Sequence, residues 1–179
     1  MAHFQEVWVS PRLGAEFLVA YLQSSLVVGP DAYSWTEDLE VSSREIVDAY
    51  RQVLGGYAID TNRVVVGGFS SVGMAALEVA RNGAVPMAGF VVLCPAKPES
   101  LDAESAGRMK ARGLRGTLLT TEMDPRLPDQ REIAALFEQV GLPHEFIVTP
   151  DIGHWIPADL GAQIDRAIAH IFEESRGTE

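Results

Sequence analysis

The sequence predicts an α/β protein, a mostly parallel sheet with helices on both faces. Three observations carry that expectation. Short apolar runs with no polar alternation recur along the chain, as strands covered on both faces require. Between them lie runs whose apolar residues recur at helical spacing. Near the middle, "VVVGGFSSVGMAALEVA" (Val64 to Ala80) passes from an apolar strand through a tight turn into a helix.

Each element follows from its residues. "FLVAYL", from Phe17, reads as a buried strand. "SREIVDAYRQVLGG" reads as an amphipathic helix with Ile46, Val47, Tyr50, Val53 and Leu54 on one face, Ser42 and Glu45 as a capping box, and Gly55-Gly56 as its stop. The strand "RVVVGGF" and the helix "SVGMAALEVARNG" follow, the latter ended by Asn82-Gly83. "GFVVLCPA" is a strand, and polar Glu99 to Gly113 a solvated connecting helix. "RGTLLTTEMD" is a strand, "PDQREIAALFEQVG" a helix with Ile133, Leu136, Phe137 and Val140 inward, and "HEFIVTP" the last strand. "PADLGAQIDRAIAHIFEES" closes as a helix. About five strands are expected, in one domain spanning residues 1–179.

Composition narrows the function. The chain has 179 residues, 47% hydrophobic and 22% charged, which supports one globular core. A net charge of −11 without a basic stripe argues against nucleic acid as a partner. No run is apolar enough to span a bilayer, and the start lacks the charged-then-apolar pattern of a signal peptide. One cysteine, Cys94, excludes an internal disulfide and fits a cytoplasmic location; its apolar run "FVVLCPA" marks it as a small buried hydrophobe. The four histidines lack ligand spacing, so no metal site and no cofactor are expected.

The Gly67–Gly73 turn admits two chemistries. A dinucleotide site wants G-x-G-x-x-G and an acid at the tip of the next strand; this turn lacks the spacing, and the next strand ends in "LCPAKP". A nucleophile elbow wants G-x-S-x-G, because the serine takes a strained backbone conformation that needs small residues two positions to either side. Gly68-Phe69-Ser70 supplies the upstream half, and Val72 stands where the downstream small residue belongs. Taking Ser71 as nucleophile restores Gly73 but sets Phe69 upstream, the worse violation, so Ser70 is favoured. An orienting acid and a base should follow in that order. "LLTTEMDPRLP" places Asp124 just past one strand, and "FIVTPDIGHWIP" places His154 just past the next. Asp151 fits a turn before the histidine better than a relay role.

These residues resemble the phospholipase/carboxylesterase branch of the α/β-hydrolases, which includes acyl-protein thioesterase-like enzymes. "YAIDTNRVVVGGFSSVGMAAL" is similar to that family's elbow region, "DPRLP" to its acid motif and "PDIGHWIP" to its histidine motif. The resemblance runs from about Trp35 to the last helix. It implies Ser70 as nucleophile, Asp124 as acid, His154 as general base, and the Ser71 N–H as one oxyanion donor. The family also begins with a hairpin and a strand ending in a His-Gly loop, the source of a second donor. This sequence has no His-Gly dipeptide, so the resemblance implies an N-terminally shortened hydrolase with a half-built oxyanion site, and "SPRLG" is the first place to seek a replacement donor.

The resulting expectation is a serine esterase acting on small or single-chain carboxylic esters or thioesters through an acyl-enzyme, without metal or organic cofactor. Trp155, beside His154, is a candidate for substrate contact, and Trp35 for packing. The alternative is a catalytically inactive hydrolase-like interaction or dimerisation domain, which Val72 and the absent His-Gly loop favour. An uncovered sheet edge would in either case invite a homodimer.

Overall fold

The computed structural model describes residues 4–30, 32–35 and 38–172. In chain order the elements are α1 (Phe4–Val7), α2 (Pro11–Glu16), β1 (Leu26–Gly29), β2 (Ala32–Ser34), α3 (Leu39–Gly56), β3 (Val65–Phe69), α4 (Ser71–Asn82), β4 (Gly89–Leu93), α5 (Ala103–Ala111), β5 (Arg115–Thr121), α6 (Leu127–Val140), β6 (His144–Thr149) and α7 (Leu160–Phe172). The main sheet has the order β3-β4-β5-β6, and every pairing in it is parallel. Successive parallel strands need crossover connections, which α4, α5 and α6 supply.

Residue alternation along the strands divides the core. Phe90, Val92 and Leu118 face α4, α5 and α6, where they pack with Leu77, Met109, Ile133 and Phe137. Val91, Leu93 and Leu119 face the other side and meet Leu160, Ile164, Ile168 and Ile171 of α7. α3 lies outside α4 and buries Ile46 against Ala75 and Val79. All five residues of β4 are buried, and all of β5 after Arg115, which is why these strands read as unbroken apolar or small runs.

The N-terminal part departs from the sequence reading. "FLVAYL" forms no strand: residues 17–24 are irregular, with Leu18 at 52% and Tyr21 at 45% exposure. Its hydrophobicity was read as burial, but only Phe17 packs inward, stacking on Phe172 of α7. Among the described residues the main sheet therefore has four strands rather than about five, and a separate antiparallel hairpin, β1–β2, precedes it. α2 lies along α7, with the Arg12 amide donating to Asp165 Oδ1 at 3.2 Å. α3 begins earlier than the Ser42 capping box implies. Asp38 is the N-cap, its carboxylate accepting from the Glu40 and Val41 amides, and Glu45 is engaged instead by the Ser25 amide and hydroxyl. α5 is the expected connecting helix, but one face is buried through Ser105, Ala106 and Met109. No helix among the described residues is long and apolar enough to cross a membrane.

At one point of close approach the sheet depends on a glycine. A methyl group on Gly116 of β5 would overlap the ring of Phe90, which is completely buried on β4. Gly116→Ala is expected to cost about 1–3 kcal/mol in urea unfolding, the range for overpacking a filled core. A cost below about 0.5 kcal/mol would show that the ring has room to move.

Candidate active site

The parallel register ends all four main strands at one edge. Phe69 lies beside Leu93, Leu93 beside Leu119, and Thr121 beside Thr149. The loops leaving that edge carry Ser70 after β3, Cys94 after β4, Asp124 after β5 and His154 after β6.

The structure brings Ser70, His154 and Asp124 into one chain of hydrogen bonds. Ser70 Oγ lies 2.9 Å from His154 Nε2, and His154 Nδ1 lies 3.0 Å from Asp124 Oδ2. With the ring proton on Nδ1 donated to the carboxylate, Nε2 is left to accept the serine proton, which is the tautomer a general base needs. Of the two adjacent serines, the one whose hydroxyl meets the imidazole is Ser70.

Ser70 adopts φ 57° and ψ −119°, a conformation side-chain-bearing residues rarely take. Its amide is held by the Leu93 carbonyl at 2.8 Å, and its own carbonyl receives the Met74 amide at 3.0 Å, so strand and helix clamp the turn from both sides. The upstream glycine is required: a Cβ on Gly68 would lie 2.5 Å from Val72 Cγ1 and 2.8 Å from its carbonyl carbon. Val72 thus fits because it packs on the bare Cα of Gly68, so one small residue does the work of two. Gly73 is also crowded, since a Cβ there would lie 3.1 Å from the Gly68 carbonyl oxygen.

Ser71 is the first residue of α4, and Ser70 provides no side-chain cap to that helix. The opening amides of α4 therefore point their partial positive charge at the Ser70 turn, where an oxyanion would develop. Three amides of "SPRLG" are already engaged. The Leu13 amide bonds Ser10 Oγ, the Gly14 amide bonds the Ser10 carbonyl, and the Arg12 amide bonds Asp165.

Asp124 has a fully buried side chain, whereas that of His154 is 30% exposed. Burial disfavours the Asp124 charge. Hydrogen bonds from the Cys94 thiol, the Arg126 amide, the Gln130 side chain and His154 outweigh it and hold the carboxyl below the ordinary aspartate range. The Arg126 amide donates to Oδ1 at 2.8 Å and Gln130 Nε2 to Oδ2 at 3.1 Å. Thr121 Oγ1 donates to the Gly153 carbonyl at 2.6 Å, which ties the histidine loop to β5. The Phe69 ring packs against the imidazole with centroids 4.9 Å apart.

Cys94 is more than filler. Burial pushes its thiol up to about 12, and the nearby Asp124 carboxylate adds to this, so it is present as S–H. Thr121 Oγ1, 3.7 Å from the thiol sulfur, gives its own proton to Gly153. Cys94, Asp124 and His154 place one ligand atom each within 4.8 Å of one another, a donor set of the kind zinc takes. A metal there would have to displace both the thiol proton and the His154 Nδ1 proton.

Backbone strain gathers at this edge: among the described residues, the non-glycine ones with positive φ are Ser70, Cys94 and Asp151, the last in the turn before His154. Two concavities, of about 520 and 530 Å³, lie away from these residues, one lined by Pro86, Arg112 and Phe172 among others, the other by Glu40, Arg51 and Asn82. Trp155 is 62% exposed beside the site, and Met123, which the sequence reading passed over, is 66% exposed on the neighbouring loop. The sequence reading also missed Gln130. Its signal was a polar residue on the apolar stripe of α6, in line with Ile133 and Phe137.

Comparison with solved structures shows the same fold in other proteins, a carboxylesterase and a serine hydrolase among them. No protein-family model matches the sequence, and no curated protein matches it either. A protein of Bacillus cereus ATCC 10987 superposes with a TM-score of 0.80 at 21% identity over 90% of this chain. This chain spans 53% of that protein's length. A Bacillus cereus carboxylesterase matches with a TM-score of 0.60 at 16% identity, over 81% of this chain and 66% of its own. The Staphylococcus aureus fluorophosphonate-binding serine hydrolase F matches with a TM-score of 0.58 at 15% identity, over 73% of this chain and 63% of its own.

The state of Cys94 gives a direct check on the packing beneath the site. In the folded protein at pH 8, iodoacetamide should alkylate Cys94 at least about a hundredfold more slowly than after unfolding in urea, because the reactive species is the thiolate. Equal rates would mean that the thiol is neither buried nor protonated as described.

Proposed function

We propose that the chain is a serine hydrolase acting on carboxylic ester or thioester bonds, of the phospholipase/carboxylesterase kind. Ser70 Oγ attacks the acyl carbonyl as His154 Nε2 takes its proton. Asp124 holds the imidazole tautomer and stabilises the imidazolium. The Ser71 N–H stabilises the oxyanion. His154 then delivers the proton to the leaving alcohol or thiol, and water, activated by the same nitrogen, hydrolyses the acyl-enzyme. The observation that carries the reading is the unbroken hydrogen-bond chain from Ser70 through His154 to Asp124, with Ser70 at φ 57°. No cofactor enters this mechanism.

Exposure of the imidazole favours small or single-chain acyl groups, with Trp155 as an apolar contact beside the ring. A single cysteine suits action in the reducing cytoplasm. The second reading is a catalytically silent hydrolase-like domain that associates with a second copy of itself. It is favoured by β3 having a strand neighbour on one side only among the described residues, and by Val27 and Val28 being 62% and 59% exposed.

Labelling separates the two. A fluorophosphonate probe should modify the wild-type protein at Ser70, and Ser70→Ala should abolish labelling and lower hydrolysis of p-nitrophenyl acetate by about a thousandfold or more. Ser71→Ala should keep most of both, since only its main-chain N–H takes part. A folded wild-type protein that no probe labels, and that sediments as a dimer, would select the second reading.

A further inference from the structure

We propose that Gln130 is a positioning residue for the relay, acting through Asp124; this rests on the hydrolase reading above. Gln130 is fully buried on α6, and its amide lies among three groups, two from loops and one from β5. Nε2 donates to Asp124 Oδ2 at 3.1 Å and to the Pro95 carbonyl at 3.2 Å. Oε1 accepts the hydroxyl of Thr120 on β5, itself fully buried.

Asp124 and Pro95 offer only acceptor oxygens, so the NH₂ group of Gln130 must face them, and Oε1 is left to accept the Thr120 hydroxyl. Pro95 belongs to the loop after β4, so Gln130 joins the ends of β4 and β5 to the acid. Oδ2, the oxygen it holds, is the one His154 Nδ1 uses at 3.0 Å. The Arg126 amide occupies Oδ1 at 2.8 Å. Two fixed donors on two oxygens set the plane of the carboxylate, and the histidine has one direction from which to approach.

A second consequence is electrostatic. The Gln130 N–H draws charge from the oxygen facing the imidazole, so removing it leaves more negative charge against the ring. The titratable groups meeting Asp124 are His154 and the Cys94 thiol. Lys97, near the start of α6, is already paired with Glu132 at 3.1 Å. A glutamine serving only as core filler would have no effect on the imidazole.

The test compares wild type with Gln130→Met, which fills the same volume without the amide, and Thr120→Val, which keeps Gln130 but removes its anchor. The readouts are melting temperature, the pH profile of fluorophosphonate labelling between pH 5 and 9 (about the range in which histidine changes charge), and the low-field Nδ1 proton resonance of the His154–Asp124 hydrogen bond. In Gln130→Met the acid limb of the labelling profile should move to higher pH, with a rate three- to tenfold lower, roughly, at a fixed pH on that limb. The resonance should shift or broaden. Thr120→Val should move both in the same direction by less, and it decides the matter if Gln130→Met does not fold. A lower melting temperature with an unmoved acid limb and an unchanged resonance would overturn the proposal. If wild type is never labelled, the hydrolase reading fails on that arm alone. The resonance arm then still decides whether Gln130 positions the pair.

Discussion

The site depends on the register of four parallel strands. Because β3 to β6 run the same way and pair without a slip, their last residues lie side by side, and each following loop begins at the same edge. Ser70 and His154 are 84 residues apart in sequence, yet Nε2 and Oγ sit 2.9 Å apart. A shift of one residue in any pairing would displace a loop by about 3.3 Å, more than the tolerance of a hydrogen bond. Burial of both sheet faces makes such a slip costly. It would turn Phe90 and Val92 away from the α4–α6 side and Val91 and Leu93 away from α7.

On that base the site stores strain and surrounds it with partners. Ser70 is held at positive φ by main-chain bonds to Leu93 and Met74, and by the close fit of Val72 on Gly68. The acid is held by the buried Cys94 thiol, by the Arg126 amide and by buried Gln130, itself fixed by Thr120. These groups keep Asp124 ionised in spite of burial. The histidine is partly exposed to solvent.

Much of this was legible in the sequence, and the illegible parts have physical reasons. β4 and β5 could be read because burial on both faces leaves a plain apolar or small-residue pattern, and the part-buried β3 and β6 because their apolar residues still run together. Ser70, Asp124 and His154 could be placed because each follows a strand in the order the elbow chemistry requires. "FLVAYL" misled because hydrophobicity identifies burial only when a partner surface exists, and here Leu18, Tyr21 and Leu22 remain exposed. The β1–β2 hairpin escaped notice because its strands are short and Leu26, Val27, Val28 and Tyr33 are exposed. Val72 looked like damage to the elbow because the pattern records which residues are usual, whereas the packing on Gly68 records which ones fit. Gln130 lay hidden in an amphipathic helix, where one polar residue on the apolar face is easily counted as a lapse in the pattern.

The central claim is that this register makes Ser70 a nucleophile paired with His154. Its most direct test is to mix the protein with p-nitrophenyl acetate, quench in acid within the first turnover, and map the acetylated peptide by mass spectrometry. The account predicts acetyl groups approaching one per chain, on Ser70, with their formation suppressed in His154→Ala. Acetylation of Ser71 or of a surface lysine instead, or none on the folded protein, would contradict it.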